Sequence, residues 1–138
     1  MSTSVPLLLP NEYHLGEYHV TLARYTPSGW KDTVPPLKAA VTNYRLLLQP
    51  QTRRPYNPAS IPSTYITKVS DVPLDHRSGV MIALKTGQRL YLFVGWASDL
   101  PFTETLQAML TSPVGTSAFH HQLRQRDLKR MIQFISQL

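Results

Sequence analysis

Residues 41–48 read VTNYRLLL, and the two small polar residues near their start, Thr42 and Asn43, decide how the chain is read. Before them runs an apolar-leaning segment, 37–41. After them come a tyrosine, an arginine and three leucines. Asparagine tolerates left-handed backbone angles and can satisfy nearby backbone groups through its own side chain. Segments 37–41 and 44–49 therefore read as two short strands meeting at a tight turn. Across such a corner Tyr44 can pack its ring and Arg45 can pair with the opposite strand.

Working outward, residues 18–25 (YHVTLARY) alternate, with Val20, Leu22 and the stem of Arg24 on one side. Period two with β-branched and aromatic residues predicts a strand. It ends at the turn cluster Thr26-Pro27-Ser28-Gly29. Trp30-Lys31-Asp32 then lead as a connection to Pro35-Pro36, where prolines hold the chain extended. Beyond the corner, 50–60 reads as a long polar loop, 61–69 as a strand and 71–78 as a turn-like segment. Segments 79–85 and 89–95 are two strands joined by Thr86-Gly87-Gln88, a glycine-bearing hairpin signal.

After Trp96 the period changes. Ser98 suits an N-cap, Asp99 the positive end of a helix dipole, and Pro101 the first turn. Phe102, Leu106, Met109 and Leu110 then form one helical stripe. A further helix is predicted from Asp127, with Leu128, Met131, Ile132, Ile135 and Leu138 on its apolar face. Six strands followed by helices predict a mainly β protein whose antiparallel sheet is covered by a helix at one end or face.

The chain has 138 residues, one domain's worth, with 42% hydrophobic and 16% charged residues, twelve prolines and six glycines. That punctuation favours many short elements. Without cysteine, disulfides, thiolate metal sites and cysteine nucleophiles are excluded. Residues 5–9 are too short an apolar run, and wrongly flanked, for a signal peptide. No segment nears the roughly twenty apolar residues of a membrane span. The expectation is a cytoplasmic protein whose membrane contact would be peripheral. Fourteen Lys and Arg against eight Asp and Glu give a net charge of +6, which favours anionic partners without choosing among them.

Residues 39–48 (AAVTNYRLLL), followed by 61–66 (IPSTYI), resemble the GRAM domain of the pleckstrin-homology-like superfamily. That family's pattern is a V/I-T-N-x-R-L/I hairpin, a short strand with an early proline, two more strands and a closing helix. Gly16-Glu17 is similar to the pair that often opens its first strand. Lys38-Ala39 stands where a glycine is usual, and residues 117–138 have no counterpart in the pattern. The resemblance implies a strongly bent antiparallel sheet, or partly open barrel, capped by a helix. It divides the chain into an extension at 1–15, the domain at 16–112 and a helical extension at 113–138.

The resemblance also implies where a ligand would go. Pleckstrin-homology-like domains that bind inositol phosphates use basic residues on the loop joining the first two strands and on adjacent strands. By position these are Lys31 and Lys38, then Arg45, then Arg53 and Arg54. The dense lysine-then-Arg-x-Arg pattern is missing. Trp30 beside Lys31 would dip into a membrane interface or fold back over the open end of the sheet. Leu128, Met131, Ile132 and Ile135 would dock on the domain or join a homodimer.

Two arginines followed by one tyrosine do not make a nucleic-acid stripe. His120 and His121, adjacent on a helix, would point about 100° apart and suit no single metal ion. No nucleophile elbow, phosphate loop or paired-carboxylate motif appears, and no cofactor is called for. The sequence thus points to a non-catalytic module for an anionic lipid headgroup, or else to a protein-interaction and homo-oligomerisation module.

Overall fold

A computed structural model of the protein describes residues 12–33, 36–51, 59–95 and 99–111, together with Gln133. The chain forms strands β1 (His14–Thr26), β2 (Gly29–Asp32), β3 (Leu37–Thr42), β4 (Arg45–Pro50) and β5 (Ala59–Pro62). A 3-10 turn at Ser63–Tyr65 leads into β6 (Ile66–Leu74), β7 (Arg77–Leu84) and β8 (Arg89–Val94), and helix α1 (Asp99–Thr111) follows. All pairings are antiparallel, in the order β5-β4-β3-β1-β8-β7-β6, with β2 paired to β1 off this path. The sheet is open, and β1 joins its two halves.

The corner at residues 42–45 forms as expected, and its fastening reaches beyond the hairpin. Thr42 Oγ1 accepts the backbone N–H groups of Tyr44 at 3.1 Å and Arg45 at 3.0 Å. The same hydroxyl donates to Glu12 at 2.6 Å. Asn43 exchanges two hydrogen bonds with Tyr13, one from its backbone N–H and one to its side-chain oxygen. The Arg45 side chain reaches beyond the hairpin. Its Nε and Nη2 fork onto Glu12 at 2.9 and 3.1 Å, and the Glu12 side chain is wholly buried. Residues 12 and 13, expected in an extension before the domain, are therefore tied into it.

Alternate residues of the strands make the core: Val20 and Leu22, Leu37, Ala39 and Val41, Leu46 and Leu48, Val80 and Ile82, Leu90 and Leu92. Helix α1 closes that face with Phe102, Leu106 and Met109, each fully buried, at the predicted spacing. Tyr18 packs against Phe102 with ring centroids 5.0 Å apart and bonds Thr105 through its hydroxyl at 2.6 Å. Gln107 donates to the Val69 carbonyl at 3.2 Å, which pins the helix to β6. The predicted cap at Ser98 lies outside the described residues, as does the predicted helix from Asp127 apart from Gln133, which is helical and exposed.

Three sequence readings change. Trp30-Lys31-Asp32 is not a bare connection but strand β2, paired with β1 from Ala23↔Asp32 to Thr26↔Gly29. The strand read at 61–69 divides at the 3-10 turn into β5 and β6. The turn expected at 71–78 shrinks to Asp75 and His76, because β6 runs on to Leu74 and β7 begins at Arg77. Pro73 disguised that strand. It is admitted because β6 is an edge, where one missing N–H leaves no neighbour unpaired. Asp75 takes the reversal with φ 61°, a left-handed angle that aspartate tolerates.

Removing one partner of a buried ion pair strands the other charge, at a cost of about 3–5 kcal/mol. Arg45→Met is therefore expected to destabilise the domain by that order in urea unfolding. The double variant Arg45→Met/Glu12→Leu should recover most of the loss. Additive losses in the double variant would contradict the pairing.

Candidate ligand-binding surface

β1 pairs with β8 at Val20, Thr21 and Leu22, and from Ala23 onward its partner is β2. The wedge where β1 leaves β8 holds a cavity of about 150 Å³ lined by Leu22, Thr33, Leu90 and Tyr91 together with Arg24 and Arg89. Arg24 and Lys31 are cross-strand partners in the β1–β2 hairpin. Arg89 opens β8, and Lys85 sits just before the β7–β8 turn. All four cations are exposed. Among the described residues, the ion pairs engage other cations: Lys38 with Glu17, Arg45 with Glu12, and Arg77 with Asp32. Arg24 and Arg89 thus stand at a largely apolar cavity with no carboxylate partner among the described residues.

The opposite face of the sheet carries a second, smaller apolar group. Leu74, Met81 and Phe93 are buried yet stand apart from the main core. The β1–β2 hairpin leans over this face. Trp30 packs its ring between Tyr25 and Tyr91, with centroids 5.2 and 4.8 Å away. Its backbone N–H donates to Asp75 in the β6–β7 turn at 2.7 Å. Arg77 lies over the Phe93 ring, 3.6 Å from its centroid, and pairs with Asp32, which also accepts from Thr21 at 2.7 Å. Partial burial raises the pKa of Asp32. Hydrogen bonds from Arg77 and Thr21 and the guanidinium charge outweigh that and hold the carboxyl below its ordinary value of 3.8.

The residues predicted from sequence separate accordingly. Lys31 stands exposed on the hairpin. Trp30 is half-buried against two tyrosines, so its ring covers the sheet while the neighbouring Tyr25 is 70% exposed. Lys38 lies 3.0 Å from Glu17 across the β1–β3 pairing. Arg45 is 6% exposed and committed to Glu12, so an arriving anion would have to displace that carboxylate. Arg53, Arg54, Leu128, Met131, Ile132 and Ile135 lie outside the described residues. Sequence reading did not single out Arg24 and Arg89, which the structure places at one cavity. Arg24's inward phase was visible in the alternation of 18–25, but its pairing with Lys31 required seeing 27–28 as a two-residue turn. Arg77 was hidden in the stretch read as a turn.

Among the described residues, no group of three or more His, Asp or Glu could hold a metal ion, and no helix is long and apolar enough to cross a membrane. No family model matches the sequence, and no curated protein matches it. Solved structures do match. The linker-DH/PH crystal structure of p115-RhoGEF superposes with a TM-score of 0.58 at 13% identity, covering 78% of this chain and 32% of that one. The C-terminal domain of an unknown protein from Leishmania infantum gives 0.52 at 14% identity, covering 74% and 88%. The DH/PH domain of human ARHGEF11, solved in a ternary complex with human RhoA and its inhibitor, gives 0.53 at 16% identity, covering 72% and 29%. The chain spans about a third of the length of the two RhoGEF chains. Identities this low carry the fold alone, and the fold is pleckstrin-homology-like.

A carboxylate whose pKa is lowered by folding stabilises the native state above its unfolded value, and that contribution disappears as pH falls through the folded value. Asp32→Asn is therefore expected to cost about 0.2–1 kcal/mol near pH 6, the scale of an exposed ion pair. The difference from the native sequence should close as pH drops from 3.8 through the lowered value, measured by urea unfolding at several pH values. A difference that persists at the acid end would remove the carboxylate from the account.

Proposed function

We propose that this domain is a non-catalytic binding module of the GRAM type, directed to anionic lipid headgroups at a membrane surface. The observation that carries the reading is that Arg24 and Arg89 line one apolar wedge, with Lys31 the cross-strand neighbour of Arg24. These cations come from three different strands and have no carboxylate partner among the described residues. Guanidinium forks and an ammonium suit clustered phosphate oxygens, and apolar walls strengthen their field. Tyr25, exposed beside Trp30 at the hairpin, offers an aromatic surface of the kind that rests at a bilayer interface. Lys31, expected from sequence, belongs to this set.

The sequence stretches 41–46 and 61–66 support the GRAM-type reading because Thr42, Asn43 and Arg45 occupy the roles a corner needs, leaving other cations for a ligand. Each basic side chain near an anionic leaflet contributes about 1 kcal/mol, or roughly five-fold in affinity. Co-sedimentation with phosphatidylserine vesicles at low and physiological salt tests this. Binding should fall steeply with salt, and Arg24→Gln/Lys31→Gln/Arg89→Gln should weaken it about a hundred-fold relative to the native sequence. Binding untouched by salt or by the triple variant would overturn the reading. Absence of vesicle binding alongside a discrete oligomer by light scattering would favour a protein-interaction module instead.

A further inference from the structure

Arg77 lies 45 residues from Asp32 in sequence and joins two parts of the fold that no strand pairing connects. Its guanidinium rests on Phe93, which is 2% exposed although it sits on the face away from the main core. Its two terminal nitrogens fork onto the Asp32 carboxylate. Two residues earlier, Asp75 accepts the Trp30 N–H. Gly29, at the tip of the same hairpin, has φ 112°, and a Cβ built there would come within 2.4 Å of Asp75 Oδ2. Only glycine lets the tip come this close. The β1–β2 hairpin is thus fastened at Trp30 by Asp75 of the β6–β7 turn and at Asp32 by Arg77 at the start of β7.

We propose that Arg77 is a positioning residue for the anionic-headgroup surface: it clasps the β1–β2 hairpin onto the β6–β7 turn and so fixes Arg24 and Lys31 opposite Arg89. The proposal rests on the reading of those cations as the binding surface. β2 pairs with β1 and, among the described residues, with no other strand, and a two-stranded ribbon without packing is marginal in water. Unfastened, the hairpin would spread its two cations over many arrangements, and affinity falls in proportion to the competent fraction. Arg77 also cancels the charge of Asp32, the neighbour of Lys31, so positioning and charge must be separated by experiment.

Three variants separate them: Arg77→Gln, the charge-silent Gly29→Ala, and Arg77→Gln/Asp32→Asn. Amide hydrogen exchange is read at Trp30, with Leu92 as the core control, beside phosphatidylserine vesicle binding at low salt. In both single variants Trp30 exchange should accelerate about ten-fold while Leu92 stays unchanged. Vesicle binding should weaken about three- to ten-fold in both, and the double variant should remain weak. Unaltered Trp30 exchange would overturn the clasp. Faster exchange with binding within about two-fold of the native protein would overturn the positioning role. Full recovery in the double variant would reduce Arg77 to a neutraliser of Asp32 and overturn it as well. If the native chain itself left vesicles unbound, the surface reading and the proposal would fall together; native binding with indifferent variants sinks the proposal alone.

Discussion

Glu12 and Arg45 are charged groups almost removed from water, and the corner of the sheet depends on their remaining together. A carboxylate and a guanidinium buried singly would each lose several kcal/mol of hydration. Here the fork from Arg45 and the Thr42 hydroxyl meet the Glu12 oxygens, so the charge is matched and its lone pairs are occupied. Among the described residues no buried side-chain nitrogen or oxygen lacks a hydrogen-bond partner. Because Thr42 and Arg45 come from the corner and Glu12 from the segment before β1, the pair fixes the β3–β4 corner to the approach to β1. A hydrophobic replacement of similar volume could match its energy, whereas removing one partner alone strands the other charge.

The remainder of the fold follows from that corner. Once β3 and β4 are set, β1 lies against β3 along residues 14–20 and passes to β8 at Val20–Leu22. This hand-over turns one strand into the seam of the sheet and directs the alternating apolar residues of both halves to a common side. Phe102, Leu106 and Met109 complete the burial. The seam also has to end somewhere. Where β1 departs from β8 a wedge opens, with Arg24 of β1 and Arg89 of β8 at its mouth. The candidate surface lies where β1 parts from β8.

Two kinds of arginine emerge from this arrangement. Arg45 and Arg77 are fastened to carboxylates and hold backbone segments in place. Arg24 and Arg89 are exposed at the wedge and are engaged by no carboxylate among the described residues. Charge counting treats all of them alike, which is why a net charge of +6 gave no direction toward a site. The electrostatic argument becomes local only when the acids are assigned. Glu12, Glu17 and Asp32 are each paired, and the cations they leave uncompensated include those around one cavity.

The order of strands followed by a helix, the turn at Thr42-Asn43 and the stripe Phe102, Leu106, Met109 were legible in the amino-acid sequence. Each is a short-range consequence of side-chain period or of one residue's backbone tolerance. The full span of β6 was not legible, because Pro73 and Asp75 carry turn chemistry and only an unpaired edge admits them. Nor was β2, since four residues with a glycine and a tryptophan gain their strand form from pairing and from Tyr25 and Tyr91. Sequence reading placed Lys31 among the candidate cations, and tertiary structure alone sets Arg24 across from it, Arg24 and Arg89 at one cavity, and Arg77 on Asp32. The last two are meetings of residues far apart in the chain, and no local pattern encodes which distant carboxylate an arginine will meet.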